Sequence, residues 1–161
     1  MEQFQEYGDA AKKKISIADH MLTQTYPLVR DSKLLMAVLE NTFLALSYAM
    51  NSILSYDKLF KNITVFPENF EARFHIFREK CAPRYNISKD HLLLIRDVKD
   101  IIMAHKKSPV EFTRNDRFVI CSDDYKMKAV SVDLLKRYIM QAKTFVIQTN
   151  VITNKNAGLF R

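Results

Sequence analysis

The segment from Lys99 to His105 contains the residues in this sequence whose types and spacing best suit chemistry. A histidine titrates near neutral pH, so it can transfer a proton beside a phosphate that neighbouring cations bind. A histidine at the C-terminal end of a helix is also stabilised by the helix dipole. From residue types alone, this structural role is the more common explanation of His105. The segment reads Lys99-Asp100-Ile101-Ile102-Met103-Ala104-His105, and Lys106 and Lys107 follow directly.

A second cluster of basic residues lies upstream, around an aromatic residue. Basic side chains interleaved with an aromatic ring can contact the phosphate backbone and a stacked base of single-stranded nucleic acid. Charge runs of this length also occur on helix faces that only meet solvent. Both interpretations stay open for this cluster, which comprises Arg73, Arg78, Lys80, Arg84, Tyr85 and Lys89. With the cations near His105, the candidates for nucleic-acid binding are Arg73, Arg78, Lys80, Arg84, Arg96, Lys106 and Lys107.

The sequence predicts neither a metal nor a cofactor. Its histidines occur in no Glu-x-x-His or His-Glu-x-x-His pattern, and Cys81 and Cys121 form no Cys-x-x-Cys pair. Metal sites in helical proteins depend on such spacings. Gly8 and Gly158 are the only glycines, so the chain lacks the glycine-rich loops that bind dinucleotides and nucleoside triphosphates.

Composition and charge describe one basic domain. The chain has 161 residues and a formal net charge of +7, which favours anionic partners, including nucleic acid and membrane surfaces. We expect a single domain over residues 1–152 and a flexible tail over residues 153–161. Residues 1–14 are polar and charged, and Glu40 interrupts the apolar stretch Leu34–Met50. The sequence therefore predicts a cytoplasmic protein with no secretory signal and no membrane span.

Apolar residues recur at helical spacing over most of the chain. The widest stripe predicts a central helix, which Asp31 or Ser32 would cap. Pro27 and Pro83 are expected to end the helices that precede them, whereas Pro67 is expected to start one. Ser88 and Ser131 are suited to cap the last two helices. The predicted helices cover about residues 5–23, 32–54, 67–82, 88–107 and 131–149.

Between the last two helices, the apolar pattern no longer has a helical period. Phe118–Cys121 and Tyr125–Val130 predict two short strands, which Ser122-Asp123-Asp124 would join as a turn without glycine. The predicted fold is therefore all-α, a bundle of four or five helices with a small β-hairpin before the last helix.

The run from Lys99 to His105 also resembles the signature of HEPN domains. These are small helical bundles found in prokaryotic toxin and defence systems. Their signature is an arginine, then a polar residue, then three to five residues and a histidine. The resemblance covers roughly residues 31–150, including the hairpin and the final helix.

The resemblance implies a metal-independent ribonuclease site, commonly formed across a dimer. Lys99 would then bind phosphate, Asp100 would orient a neighbouring side chain, and His105 would transfer a proton. Lys99 stands where the family has arginine, and a lysine lacks the planar fork that grips phosphate with two hydrogen bonds. A domain that associates with RNA or a nucleotide without catalysis is therefore as consistent with the sequence as an active enzyme. The alternative function is a non-catalytic helical interaction module, such as a homodimer.

Overall fold

The computed structural model describes residues 1–108, 110–114, 116–121 and 126–155. Over this range the chain forms a helical bundle with a small antiparallel sheet inserted before the last helix, which confirms the predicted fold class. The helices are α1 (Gln3–His20), α2 (Tyr26–Val29), α3 (Lys33–Leu59), α4 (Phe70–Ile76), α5 (Ala82–Tyr85), α6 (Lys89–Lys107) and α7 (Val132–Asn154). The strands are β1 (Val110–Arg114), β2 (Arg117–Cys121) and β3 (Met127–Ser131).

Pro27 and Pro83 do not end the helices before them, contrary to the prediction. A π-helical turn over Met21–Thr25 joins α1 to α2, and a second one over Phe77–Cys81 joins α4 to α5. A proline has no N–H, and its ring clashes with the carbonyl four residues back in an α-helix. In each π turn the hydrogen bonds run to the fifth residue back instead, and this change just before the proline lets the helix continue.

Both continued helices end in the same way, three residues after their proline. Arg30 and Asn86 adopt the left-handed conformation, with φ of 50° and 54°. The N–H of Arg30 donates to the carbonyl of Tyr26 (2.7 Å), which closes the last turn. The helix ends predicted at Pro27 and Pro83 therefore occur three residues later, at the left-handed caps Arg30 and Asn86.

α3 is the central helix, as its apolar stripe predicted. It packs against α1 and α7, and further along against α6. Its fully buried side chains include Leu35, Leu39, Leu46, Ile53 and Leu54. Each such residue stabilises the fold by about 1.5–3 kcal/mol relative to exposure.

α3 is longer than the apolar stretch noted in the sequence, and by length and composition alone it could cross a membrane. However, 56% of its most apolar window is buried inside the fold. Much of the apolar surface of this helix is therefore already covered by protein neighbours.

Gly8 allows α1 to approach both α3 and α7 closely. A Cβ atom at this position would lie 3.0 Å from Oδ1 of Asn150 on α7 and 3.7 Å from Oγ of Ser52 on α3. The hydroxyl of Ser52 donates to the carbonyl of Phe4 (3.0 Å), so α1 and α3 are also joined by a buried hydrogen bond. A Cβ atom at position 8 would therefore require the Asn150 side chain to shift by a few tenths of an ångström.

The sheet contains one strand more than the predicted hairpin. β2 pairs with β3, as predicted, and also with β1, in the order β1-β2-β3. Phe118 and Ile120 on β2 are buried towards the bundle. The hydroxyl of Ser32 donates to Oγ1 of Thr113 (2.8 Å), which ties β1 to the start of α3. The predicted turn at residues 122–124 lies outside the described residues.

Helix caps account for most of the remaining boundaries. Ser88 and Ser131 cap α6 and α7, accepting hydrogen bonds from the backbone N–H groups of His91 and Leu134 at 3.2 Å each, as predicted. α4 begins after Asn69, not at Pro67, because the Asn69 side chain accepts a hydrogen bond from the Ala72 N–H at 2.8 Å. α7 continues to Asn154, two residues past the expected domain boundary, and residues 156–161 of the expected tail lie outside the described range.

Candidate nucleic-acid interface

Three phenylalanines form a row of rings where α4 meets α3 and α6. The Phe70 ring centroid lies 5.2 Å from that of Phe43, and 5.9 Å from that of Phe74 with the two planes only 10° apart. Phe70 and Phe74 are four residues apart on α4, so they share one face of that helix. The row is only partly covered by protein, because Phe43 and Phe70 are half-buried.

Cations from α6 and from the π turn lie over this row. Nζ of Lys99 is 4.9 Å from the Phe70 centroid and 5.1 Å from that of Phe43. Cζ of Arg96 is 4.8 Å, and that of Arg78 5.8 Å, from the Phe74 centroid. Each such contact contributes about 0.5–1 kcal/mol at an exposed site. We call this surface the cation–aromatic face, comprising Phe43, Phe70, Phe74, Arg78, Arg96 and Lys99.

Arg96 is held in a fixed orientation by Glu71. Its Nη1 and Nη2 atoms donate to Oε1 and Oε2 of Glu71 at 3.0 and 2.9 Å. This hydrogen bonding lowers the pKa of Glu71 and raises that of Arg96. The planar guanidinium is thus presented edge-on to a carboxylate and face-on to a ring, which are the two modes in which arginine binds phosphates and bases.

A groove continues from this face between α5 and the first half of α6. Its volume is about 810 Å³, within the range of roughly 300–1,000 Å³ that is usual for small-molecule sites. Its apolar lining includes Leu93, which is 57% exposed, while Arg78, Lys89 and Arg96 form a cationic rim. The full described lining is Phe74, Arg78, Glu79, Ala82, Pro83, Asn86, Ile87, Lys89, Leu92, Leu93 and Arg96. We refer to it as the α4–α6 groove.

A buried carboxylate holds the α5 wall of the groove against α3. Asp57 is fully buried and accepts hydrogen bonds from the Tyr85 hydroxyl and from Nδ2 of Asn62 (3.3 Å). Nε of Arg84 lies 3.9 Å from Oδ2 of Asp57. Burial and, secondarily, a hydrogen bond to Asp57 raise the pKa of the Cys81 thiol and that of the Tyr85 phenol. Both groups therefore stay protonated, and the Tyr85 hydroxyl donates to the carboxylate.

This arrangement corrects one role considered from the sequence. Tyr85 was a candidate for stacking on a base, but its hydroxyl faces Asp57 in the interior. The rings that face the cations are instead Phe43, Phe70 and Phe74. The partner of Tyr85 lies 28 residues earlier on another helix, a separation that local spacing does not reveal.

The predicted nucleic-acid-binding residues divide between two ends of α6. Arg78 and Arg96 line the groove, and Lys80 is exposed on the π turn nearby. Arg73 has its guanidinium 4.4 Å from the Phe66 centroid and donates to the carbonyl of Pro67, and Arg84 is beside Asp57. Lys106 and Lys107 are exposed at the far end of α6, at least about 15 Å from Arg96 along the helix axis.

His105 packs against the sheet at that far end. Its Nδ1 lies 2.6 Å from Oε1 of Glu111, although the contact is not aligned as a hydrogen bond. Its ring meets Phe118 edge-on, with the centroids 5.6 Å apart, and its side chain is 28% exposed. A histidine beside a carboxylate and partly open to solvent is the arrangement that general bases use. Glu111 was not foreseen, because β1, which carries it, was not predicted.

The structure does not bring Lys99, Asp100 and His105 together in one groove. Lys99 lies on the cation–aromatic face, whereas Asp100 is exposed and lines a small depression with Lys128 and Tyr138. Successive residues of an α-helix are rotated by about 100°, so positions 99 and 105 point in directions about 120° apart. Within one chain the three residues of the predicted site therefore lie on different sides of α6, while the chemistry expected of each residue remains a prediction.

Within the described ranges, no group of three or more histidine, cysteine, aspartate or glutamate side chains is placed to hold a metal ion. No known protein-family model matches the sequence, and a search of curated proteins finds no significant relative.

Proposed function

We propose that this chain is a HEPN-like helical domain that binds single-stranded RNA in the α4–α6 groove. The observation that carries the proposal is an apolar groove with Arg78, Lys89 and Arg96 on its rim. Bases have apolar faces, and phosphates are anionic, so a single strand offers both of the chemistries that the groove requires. A duplex hides its base faces, so it should bind more weakly.

The three rim cations are not equally available to a phosphate. Arg96 forms a hydrogen-bonded ion pair with Glu71, and Nε of Arg78 lies 3.1 Å from Oε1 of the adjacent Glu79. Lys89 has no acidic partner within the part of the chain that the structure describes. We therefore expect Lys89 to supply the largest electrostatic contribution and Arg96 to position the strand.

RNA binding can be measured by fluorescence anisotropy with a labelled 12-nucleotide single strand of mixed sequence. If three phosphates are neutralised, the logarithm of the affinity should fall with that of salt concentration with a slope of about −2. Lys89→Ala should weaken binding across sequences and reduce this slope by about 0.7. Lys13→Ala, which removes the same charge from the exposed side of α1, is the matched control. If Lys89→Ala and Arg96→Ala bind like the wild type, the proposal is wrong.

The contact between His105 and Glu111 favours a second, catalytic function. With Nδ1 next to the carboxylate, Nε2 would be the atom that exchanges a proton with the ribose hydroxyl or the leaving oxygen of bound RNA. Such cleavage would persist in the presence of a chelator, as the HEPN resemblance implies.

Cleavage of the same RNA in EDTA tests this second function. His105→Ala should abolish the product without changing affinity, and Glu111→Gln should reduce the rate by about tenfold or more. Cleavage that survives in His105→Ala would reject a catalytic role for this histidine and leave the binding function standing.

A further inference from the structure

α7 carries an apolar stripe that is exposed to solvent, on a different side of the helix from its buried face. Met140, Ile147 and Val151 are 69%, 64% and 58% exposed. Their spacing of seven and four residues places all three on one face of the helix. The stripe extends over about 16 Å, or three helical turns. Core packing therefore does not account for these three side chains.

Two depressions accompany this stripe where α7 meets α1 and the first π turn. The one at the C-terminal half of α7 has a volume of about 460 Å³ and includes Ile147 and Val151. The other, of about 300 Å³, includes Met140 and, from the π turn, Leu22 and Thr23. Both depressions lie along the seam between α1 and α7, and we call this seam with its two depressions the α1–α7 groove.

The charges around the α1–α7 groove are nearly all positive. Among the described lining residues of the two depressions there is one carboxylate, Asp19, and Nζ of Lys143 lies 2.6 Å from its Oδ2. The other lysines of the lining are Lys12, Lys136 and Lys155. None of these three has an acidic partner within the described residues.

We propose that the α1–α7 groove binds an amphipathic helix of a partner protein, with acidic residues on both sides of its apolar stripe. Two depressions that follow each other over about three turns of a seam between helices offer the length of a helix-in-groove site. The lysines at both ends of this seam have no acidic partner among the described residues, and they are complementary to acidic flanks.

The same observations disfavour two other occupants. A second copy of this chain would bring its own lysines against Lys12, Lys136 and Lys155, and like charges across an interface are unfavourable. A bilayer is bound best by apolar side chains that project beyond their surroundings, whereas these side chains line depressions that lysines border. Both occupants are nevertheless separate outcomes of the test below.

The test uses two designed 15-residue helical peptides with the same leucine stripe, one flanked by glutamates and one by lysines. The acidic peptide should bind and shift the ε-methyl resonance of Met140 in NMR spectra, whereas the basic one should not. Ile147→Glu should weaken acidic-peptide binding by at least about tenfold. Leu28→Glu, at an exposed apolar position on α2, is the matched control and should bind like the wild type.

A charge-reversal variant keeps the test independent of any loss of folding. Lys12→Glu with Lys155→Glu should lose the acidic peptide and gain the basic one, which an unfolded protein could not do. The proposal is overturned if both peptides bind equally or if neither does. It is also overturned if the stripe instead mediates dimers in sedimentation, or binding to vesicles of phosphatidylcholine with phosphatidylglycerol.

Discussion

The α4–α6 and α1–α7 grooves both combine an apolar lining with a cationic rim, but they hold their cations differently. Arg96 lies between a phenylalanine ring and the two oxygens of Glu71. Lys12, Lys136 and Lys155 have no acidic partner among the described residues. A fixed guanidinium loses little freedom when a planar or anionic ligand binds, whereas a free lysine can follow the side chains of a partner. We infer that the first groove is organised for recognition of defined groups and the second for charge complementarity.

The two grooves also differ in what supports them. The α5 wall of the α4–α6 groove depends on the polar cluster around Asp57, which lies under the second π turn. The α1–α7 groove rests on apolar packing and on the close approach at Gly8. Perturbations that act through polar groups should therefore damage the first groove before the second.

The largest expected effect is that of Asp57→Ala. This substitution leaves the hydroxyl of Tyr85 and the amide of Asn62 without their acceptor, and the free energy of unfolding should fall by about 2–4 kcal/mol. Urea denaturation measures this loss, and Tyr85→Phe, which keeps the carboxylate, should cost only about 1 kcal/mol. RNA affinity should fall further than affinity for the acidic peptide. Equal losses in the two binding assays would show that the grooves do not differ in their support.

The fold could be predicted from the sequence where the signal was local. The apolar stripe of α3 and the serine caps of α6 and α7 depend on residues within one or two turns of each other, and the structure confirms them. The continuation through Pro27 and Pro83 could not be predicted, because Leu22, Tyr26 and Cys81 are buried against other helices and that packing keeps the chain helical.

The candidate sites were less predictable because their parts come from separate elements. The residue spacing gave the cations of α6, but it did not show that Phe43, from α3, would lie under Lys99. It also did not show that a strand after α6 would bring Glu111 to His105. Short spacing along one helix was in turn misleading, since Lys99 and His105, which were expected in one site, point in different directions.

A smaller effect is expected from acidification, through His91 on α6. Its ring centroid lies 5.4 Å from that of Phe145 on α7. Burial lowers the pKa of His91 below its ordinary value of 6.5, and a hydrogen bond with Gln148 partly offsets this shift. The unfolded chain therefore binds the imidazole proton of His91 more tightly than the folded chain does. The contribution of His91 to the free energy of unfolding is complete above pH 6.5 and is lost as the pH falls through the lower folded-state pKa.

Urea midpoints measured between pH 8 and pH 5 test this linkage. The midpoint should decline below about pH 6.5 in the wild type, and His91→Gln should flatten the curve over that interval. A variant that keeps the full pH dependence would assign it to other groups.

The smallest effect, and the one that most directly separates the two grooves, is expected from exchanging arginine and lysine. Arg96→Lys keeps the charge but loses the two-pronged contact with Glu71 and the flat face over Phe74. Because both partners are partly exposed, the loss of stability should be under about 1 kcal/mol. RNA affinity should still fall about three- to tenfold, since the remaining ammonium is a mobile point charge.

The converse change, Lys136→Arg on the rim of the α1–α7 groove, should leave acidic-peptide affinity within about twofold, because a rim charge acts there mainly through its sign. Anisotropy titrations of both variants at two salt concentrations measure these effects. If Arg96→Lys binds RNA as tightly as the wild type, the guanidinium geometry has no role and the two grooves bind by charge alone.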